Sequence, residues 1–163
     1  ANRVRPSLIR VEADEVTYNL HIILRFELEQ ELIAGGLSVD DLPLAWNDKM
    51  RRYLGVEGPS DSLGVLQEVH WSAGYFGYFP TYSLGSILAS QLWVAIGRDI
   101  PDLERRIGRG DFQPLRAWLG ERIHRHGRKF TPRELLQRVL SVERIDVAPY
   151  LSYLNAKFGE LYG

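Results

Sequence analysis

The chain has 163 residues, 45% of them hydrophobic and 25% charged, which suits one ordinary hydrophobic core in water. A net charge of −1 argues against bulk electrostatic binding to nucleic acid or an anionic membrane, and no apolar run approaches the length of a bilayer span. The absence of cysteine excludes disulfides and thiolate metal sites and fits a cytoplasmic setting, while a start at Ala1 rather than Met points to a piece of something longer.

Periodicity reads as helix nearly throughout. Ser7 is placed to cap a long run over 8–33 that ends at Gly35-Gly36. A second helix is expected over 40–54, stopping at Gly55, with Gly58-Pro59 as a turn. Asp61 or Ser62 opens a short helix through Trp71, and 72–79 reads as an ordered loop. Pro80 suits the first turn of a helix reaching Ile96. Short helices follow from Asp99-Ile100-Pro101 and from Phe112 to His126. Thr131-Pro132-Arg133-Glu134 has the form of a capping box, and a last helix runs from after Pro149 to Phe158. No segment alternates as a strand, so the class is all-α, read as one segment over 1–163.

Projected as a helix, Ile9, Ala13, Val16, Leu20 and Ile23 form a core stripe beside a second stripe of Arg10, Asp14, Thr17 and His21. The second stripe has two readings. One is a solvated face with an Arg10–Asp14 pair of a few tenths of a kcal/mol. The other is a polar seam along a cleft, where Asp14 fixes the planar Arg10 fork for a carboxylate.

The segment GVLQEVHWSAGYFGYFPTYSLG at 64–85 combines glycines with aromatics. Tyr75, Tyr78 and Tyr82 can be core aromatics, and His70 a satisfied structural histidine. Glycines at 74, 77 and 85 allow positive φ and close backbone approach, which would hold the tyrosines on a shaped loop beside a ligand. Tyrosine hydroxyls with a histidine can support a developing oxyanion. Other chemistries fall away. There is no H-E-x-x-H among the four histidines, His124 and His126 sit on different helix faces in a basic stretch, and Gly85-Ser86-Ile87-Leu88 does not make a nucleophile elbow.

At these residues the chain resembles a known family. PSLIRVEADEVTYNLHI at 6–22 contains the I-R-x-x-A-D pattern of the thermostable zinc carboxypeptidases, the carboxypeptidase Taq type. GVLQEVHW at 64–71 is similar to that family's G-x-x-Q-D-x-H-W, with Glu68 in place of Asp, and FGYFPTYSLG follows it. Tyr75 stands where a smaller residue is expected, and the tail YLSYLNAKFGELYG is similar to the end of such proteins. The resemblance implies a multi-helix C-terminal part of a larger, mainly helical zinc metallopeptidase fold with a deep groove. It implies a parent enzyme that releases C-terminal residues from peptides with broad specificity. Zinc belongs to that parent; no metal is expected in this chain, because the H-E-x-x-H helix and the third ligand lie outside it. Arg10 would bind the substrate's terminal carboxylate, with Gln67 beside it. His70 and Tyr82, with Tyr78 as the second candidate, would support the oxyanion, and Asp14 and His21 would stand behind them. Implied partners are peptides with a free C-terminus and a second copy of the chain, with no nucleic acid or membrane. The chain alone is expected to be inactive. The alternative is a standalone, metal-free helical module that binds peptides or proteins through the same cleft.

Overall fold

Proline and glycine punctuate the chain where the sequence pattern asks for helix starts and stops. The computed structural model describes residues 2–163, and the described residues form helices and turns without strands. The seven α-helices are α1 (Tyr18–Ile33), α2 (Leu42–Leu54), α3 (Pro80–Asp99), α4 (Leu103–Gly108), α5 (Gln113–Arg122), α6 (Pro132–Leu140) and α7 (Ala148–Tyr162). Contacts cluster into two compact units that divide between Ser83 and Leu84, inside the first turn of α3.

In the first unit, Leu24 and Leu28 on α1 pack against Leu42, Trp46, Met50 and Leu54, which recur every fourth residue on α2. Burial of each large side chain is worth about 1.5–3 kcal/mol, so this interlock holds the helix pair together. Lys49 on α2 bridges Glu27 (2.8 Å) and Glu31 (3.1 Å) on α1, and the Tyr53 hydroxyl donates to Glu27. Gly55 ends α2 at φ 68°, the left-handed conformation that glycine adopts without strain.

The second unit buries Ala95, Ile96, Leu103, Trp118 and Val139 around one another. The Trp118 indole N–H donates to Asp99 at 2.9 Å, and Thr131 and Glu134 exchange both bonds of the expected capping box at the start of α6.

The entry to the first helix departs from the expected pattern. Instead of one helix over 8–33, a 3₁₀ turn covers Arg10–Glu12, Ala13 is extended, and the α-helix begins only at Tyr18. The cause is Asp14. Its Oδ1 accepts the N–H groups of Val16 (2.9 Å) and Thr17 (3.0 Å), offering the backbone a local turn in place of helical bonds. The expected core stripe shifts with it: Ile22 is 1% exposed and joins the interior, whereas Ile23 is 41% exposed. The expected helix from 61 to 71 is likewise two 3₁₀ turns, Asp61–Leu63 and Val65–Gln67, after which the chain extends at Glu68. Gly85 lies inside α3 and needs no unusual φ, unlike Gly74 (φ 77°) and Gly77 (φ 75°) in the loop.

Candidate active site

Arg10 sits on the turn that precedes α1, facing aromatic rings. Its guanidinium carbon lies 4.9 Å from the Tyr82 ring centroid, 5.2 Å from Phe79 and 5.8 Å from Tyr18, and Nη1 donates to the Tyr18 hydroxyl at 3.0 Å. No carboxylate among the described residues pairs with it, so a half-buried cation stands over aromatic faces with donors to offer an anion. Asp14, expected to fix Arg10, does not do so. Its Oδ2 accepts from the Arg5 N–H (2.8 Å) and the Thr17 hydroxyl (3.0 Å), while Oδ1 closes the turn before α1. Partial burial pushes this carboxyl up, but the hydrogen bonds from Thr17, Arg5 and Val16 outweigh it and hold it below the usual carboxylate range. Asp14 therefore shapes the turn that carries Arg10.

His70 is held from below by Glu68. The Glu68 Oε1 accepts the His70 backbone N–H at 2.7 Å and lies 2.9 Å from Nδ1. Facing an ionised carboxylate, which only accepts, Nδ1 would carry the hydrogen, with Nε2 on the opposite side of the ring. Nε2 lies 3.3 Å from the Tyr82 hydroxyl. The ring also stacks beside Tyr78 at 5.8 Å and meets the buried Phe79 edge-on at 4.6 Å. Burial raises the Tyr82 hydroxyl above the ordinary tyrosine value, Tyr78 adds to the rise, and Arg10 opposes it.

The other Glu68 oxygen, Oε2, accepts from Arg25 Nε at 3.0 Å, and both side chains are 1% exposed. Arg25 also donates to the His21 carbonyl at 2.8 Å and lies 4.4 Å over the Trp46 ring. Burial lowers its pKa to about 10 against the opposing pull of Glu68, so it stays charged at neutral pH. The loop after His70 is tied to α1 by Glu29, which accepts the Trp71 indole N–H at 2.8 Å and the Gly77 backbone N–H.

The profile of the family described as Carboxypeptidase Taq (M32) metallopeptidase matches residues 1–158. The chain belongs to this family. It is 51% identical to thermostable carboxypeptidase 1 of Thermus thermophilus and 43% identical to carboxypeptidase 1 of Bacillus subtilis, in each case over 99% of this chain. The M32 carboxypeptidase of Deinococcus radiodurans superposes with a TM-score of 0.93 at 48% identity over 99% of this chain, and metallocarboxypeptidase 1 of Trypanosoma cruzi with 0.91 at 41% over 96%. The chain spans about a third of the length of these M32 relatives, 32% of the Thermus and Bacillus proteins and 33% of the two solved chains.

Of the residues expected from the M32 motifs, Arg10, His70, Tyr78 and Tyr82 come together in one cluster of rings and donors. Gln67 stands outside its hydrogen bonds: its amide N–H donates to the Ser62 carbonyl and ties down the preceding turn. His21, expected on a polar seam, is fully buried, and among the described residues neither ring nitrogen has a hydrogen-bonding partner. Burial, reinforced by the charges of Arg25 and Arg10, lowers its pKa to about 4, so the ring is neutral. Tyr18 and Phe79 complete the surround of Arg10, and Arg25, Glu68 and Glu29 hold His70 and its loop. Sequence reading assigns no site role to Tyr18, Arg25, Glu29 or Phe79. Among the described residues no three His, Asp or Glu side chains converge to hold a metal ion. These residues do not fit the metal that a metallopeptidase family implies. No helix among the described residues is long and apolar enough to cross a membrane.

Proposed function

We propose that this chain supplies the substrate-carboxylate and oxyanion half of the cleft of a metallocarboxypeptidase, with the metal, zinc by family resemblance, held by residues outside it. The reading rests on one observation: Arg10 is a half-buried cation with no carboxylate partner among the described residues, framed by Tyr18, Phe79 and Tyr82 within reach of the His70–Tyr82 pair. A peptide's terminal carboxylate meets the guanidinium at two points, which confines cleavage to the last residue. Tyr82 O–H then donates toward the carbonyl oxygen as charge builds on it. His70, with Nδ1 on Glu68, holds Nε2 3.3 Å from the Tyr82 hydroxyl and sets its orientation. Peptides with a free C-terminus are the substrates on this reading.

In the complete enzyme, Arg10→Ala raises KM for free-acid peptides about ten-fold or more, the worth of a lost charge-assisted hydrogen bond, and spares amidated ones. Tyr82→Phe lowers kcat with little change in KM. An Arg10→Ala enzyme that still prefers free-acid over amidated peptides by the parent ratio overturns the carboxylate assignment.

A further inference from the structure

The described residues contain one continuous buried relay that ends on His70. It runs from the His21 carbonyl to Arg25 Nη1 (2.8 Å), from Arg25 Nε to Glu68 Oε2 (3.0 Å), and from Glu68 Oε1 to His70 Nδ1 (2.9 Å). We propose that Arg25, which makes no hydrogen bond to Arg10, His70 or Tyr82, is a positioning residue that sets which ring nitrogen of His70 carries the hydrogen, acting through Glu68.

Glu68 has two oxygens with separate duties. Oε1 takes both the backbone N–H and Nδ1 of His70, and Oε2 takes Arg25. A carboxylate this dry is retained as an anion only beside a cation, and Arg25 is the cation that pairs with it. Arg25 cannot turn away easily, because Trp46 covers its plane at 4.4 Å, Phe79 lies 5.4 Å from it, and the His21 carbonyl holds Nη1. With Arg25 removed, the low-dielectric site favours a proton on Glu68. The carboxyl then donates to Nδ1, and the neutral ring must carry its own hydrogen on Nε2. That reverses the polarity of the atom facing Tyr82, 3.3 Å away. Sequence separation explains why motif reading passes over Arg25: it stands 43 residues before Glu68. The inference rests on the catalytic reading of His70 above for its consequence in turnover, but not for the tautomer itself.

The test is ¹⁵N NMR of the histidine rings in the 163-residue chain. At a pH where the ring is neutral, the parent chain shows His70 with hydrogen on Nδ1. Arg25→Met and the gentler Arg25→Gln move the hydrogen to Nε2, and Arg25→Lys restores the Nδ1–H form in the greater part. Nε2–H in the parent overturns the proposal at once, without any variant having to fold. So does a folded Arg25→Gln chain that keeps the parent tautomer. In the complete enzyme, Arg25→Gln lowers kcat about 10- to 100-fold with KM little changed, and Arg25→Lys recovers part of it. If the tautomer follows Arg25 while kcat does not, the relay stands and the catalytic role of His70 falls.

Discussion

Glu29 offers the sharpest way to ask whether the loop after His70 is held in place or merely rests there. Its carboxylate, on a residue 6% exposed, accepts from the Trp71 indole and the Gly77 backbone. Glu29→Ala removes both acceptors and leaves the half-buried Trp71 indole N–H and the Gly77 N–H without them. A hydrogen bond to a charged group contributes about 1.5–3 kcal/mol. Two bonds to one carboxylate do not add fully, and deleting the buried charge returns part of the loss, so a net of about 2 kcal/mol is expected. If that loss falls on the loop, Gly77 amide exchange speeds up about 30-fold, while the Leu24 and Leu28 amides within α1 keep their protection. Glu29→Gln retains one acceptor oxygen and gives a smaller effect. Gly77 exchange within three-fold of the parent in Glu29→Ala refutes the anchoring argument. So does a uniform loss of protection across α1, which would make Glu29 a general stabiliser of the unit.

Two further outcomes follow from the same structure. His21 is buried neutral with a pKa lowered to about 4, whereas the unfolded chain titrates near 6.5. The unfolded state therefore takes up the proton first: the stability is complete above pH 6.5 and lost as pH falls toward 4, by about 3 kcal/mol in all. Arg25 and Arg10 deepen this effect and Asp14 opposes it; urea unfolding of His21→Leu should lose that slope, and an unchanged slope would assign it elsewhere. Val11, Ile23 and Phe26 are exposed on the first unit, and we propose that the isolated chain self-associates through them. Light scattering across a dilution series should show mass falling with dilution and a Phe26→Glu chain lighter than the parent. A parent chain monomeric at every concentration contradicts the proposal.

The all-α class and most helix ends were legible because proline, glycine and capping residues act locally. Gly55 stops α2, Pro80 opens α3, and Thr131 and Glu134 close their box as written. The break before α1 was not read, because Ile9, Ala13 and Val16 keep a helical period across it. The signal lay in Asp14 and Thr17, two residues that bond their own backbone just ahead of an apolar run. Local motifs singled out Arg10, His70 and Tyr82, which the fold brings together. Their supports were not singled out: Glu29 meets Trp71 across 42 residues, and Arg25 meets Glu68 across 43. Pairings at that distance leave no periodic trace. The expected Arg10–Asp14 pair failed for the converse reason, since helical spacing has no meaning where the backbone is not helical.

The loop over 72–79 divides its labour by depth. Trp71 and Gly77 are fastened to Glu29 beneath it, Phe79 is buried at its far end and Tyr78 stacks on His70, whereas Tyr75 and Phe76 are exposed. Residues that hold and residues that face outward are thus different residues. Variation at Tyr75 and Phe76 leaves the mooring alone, so this stretch can diversify what it meets without renegotiating how it folds.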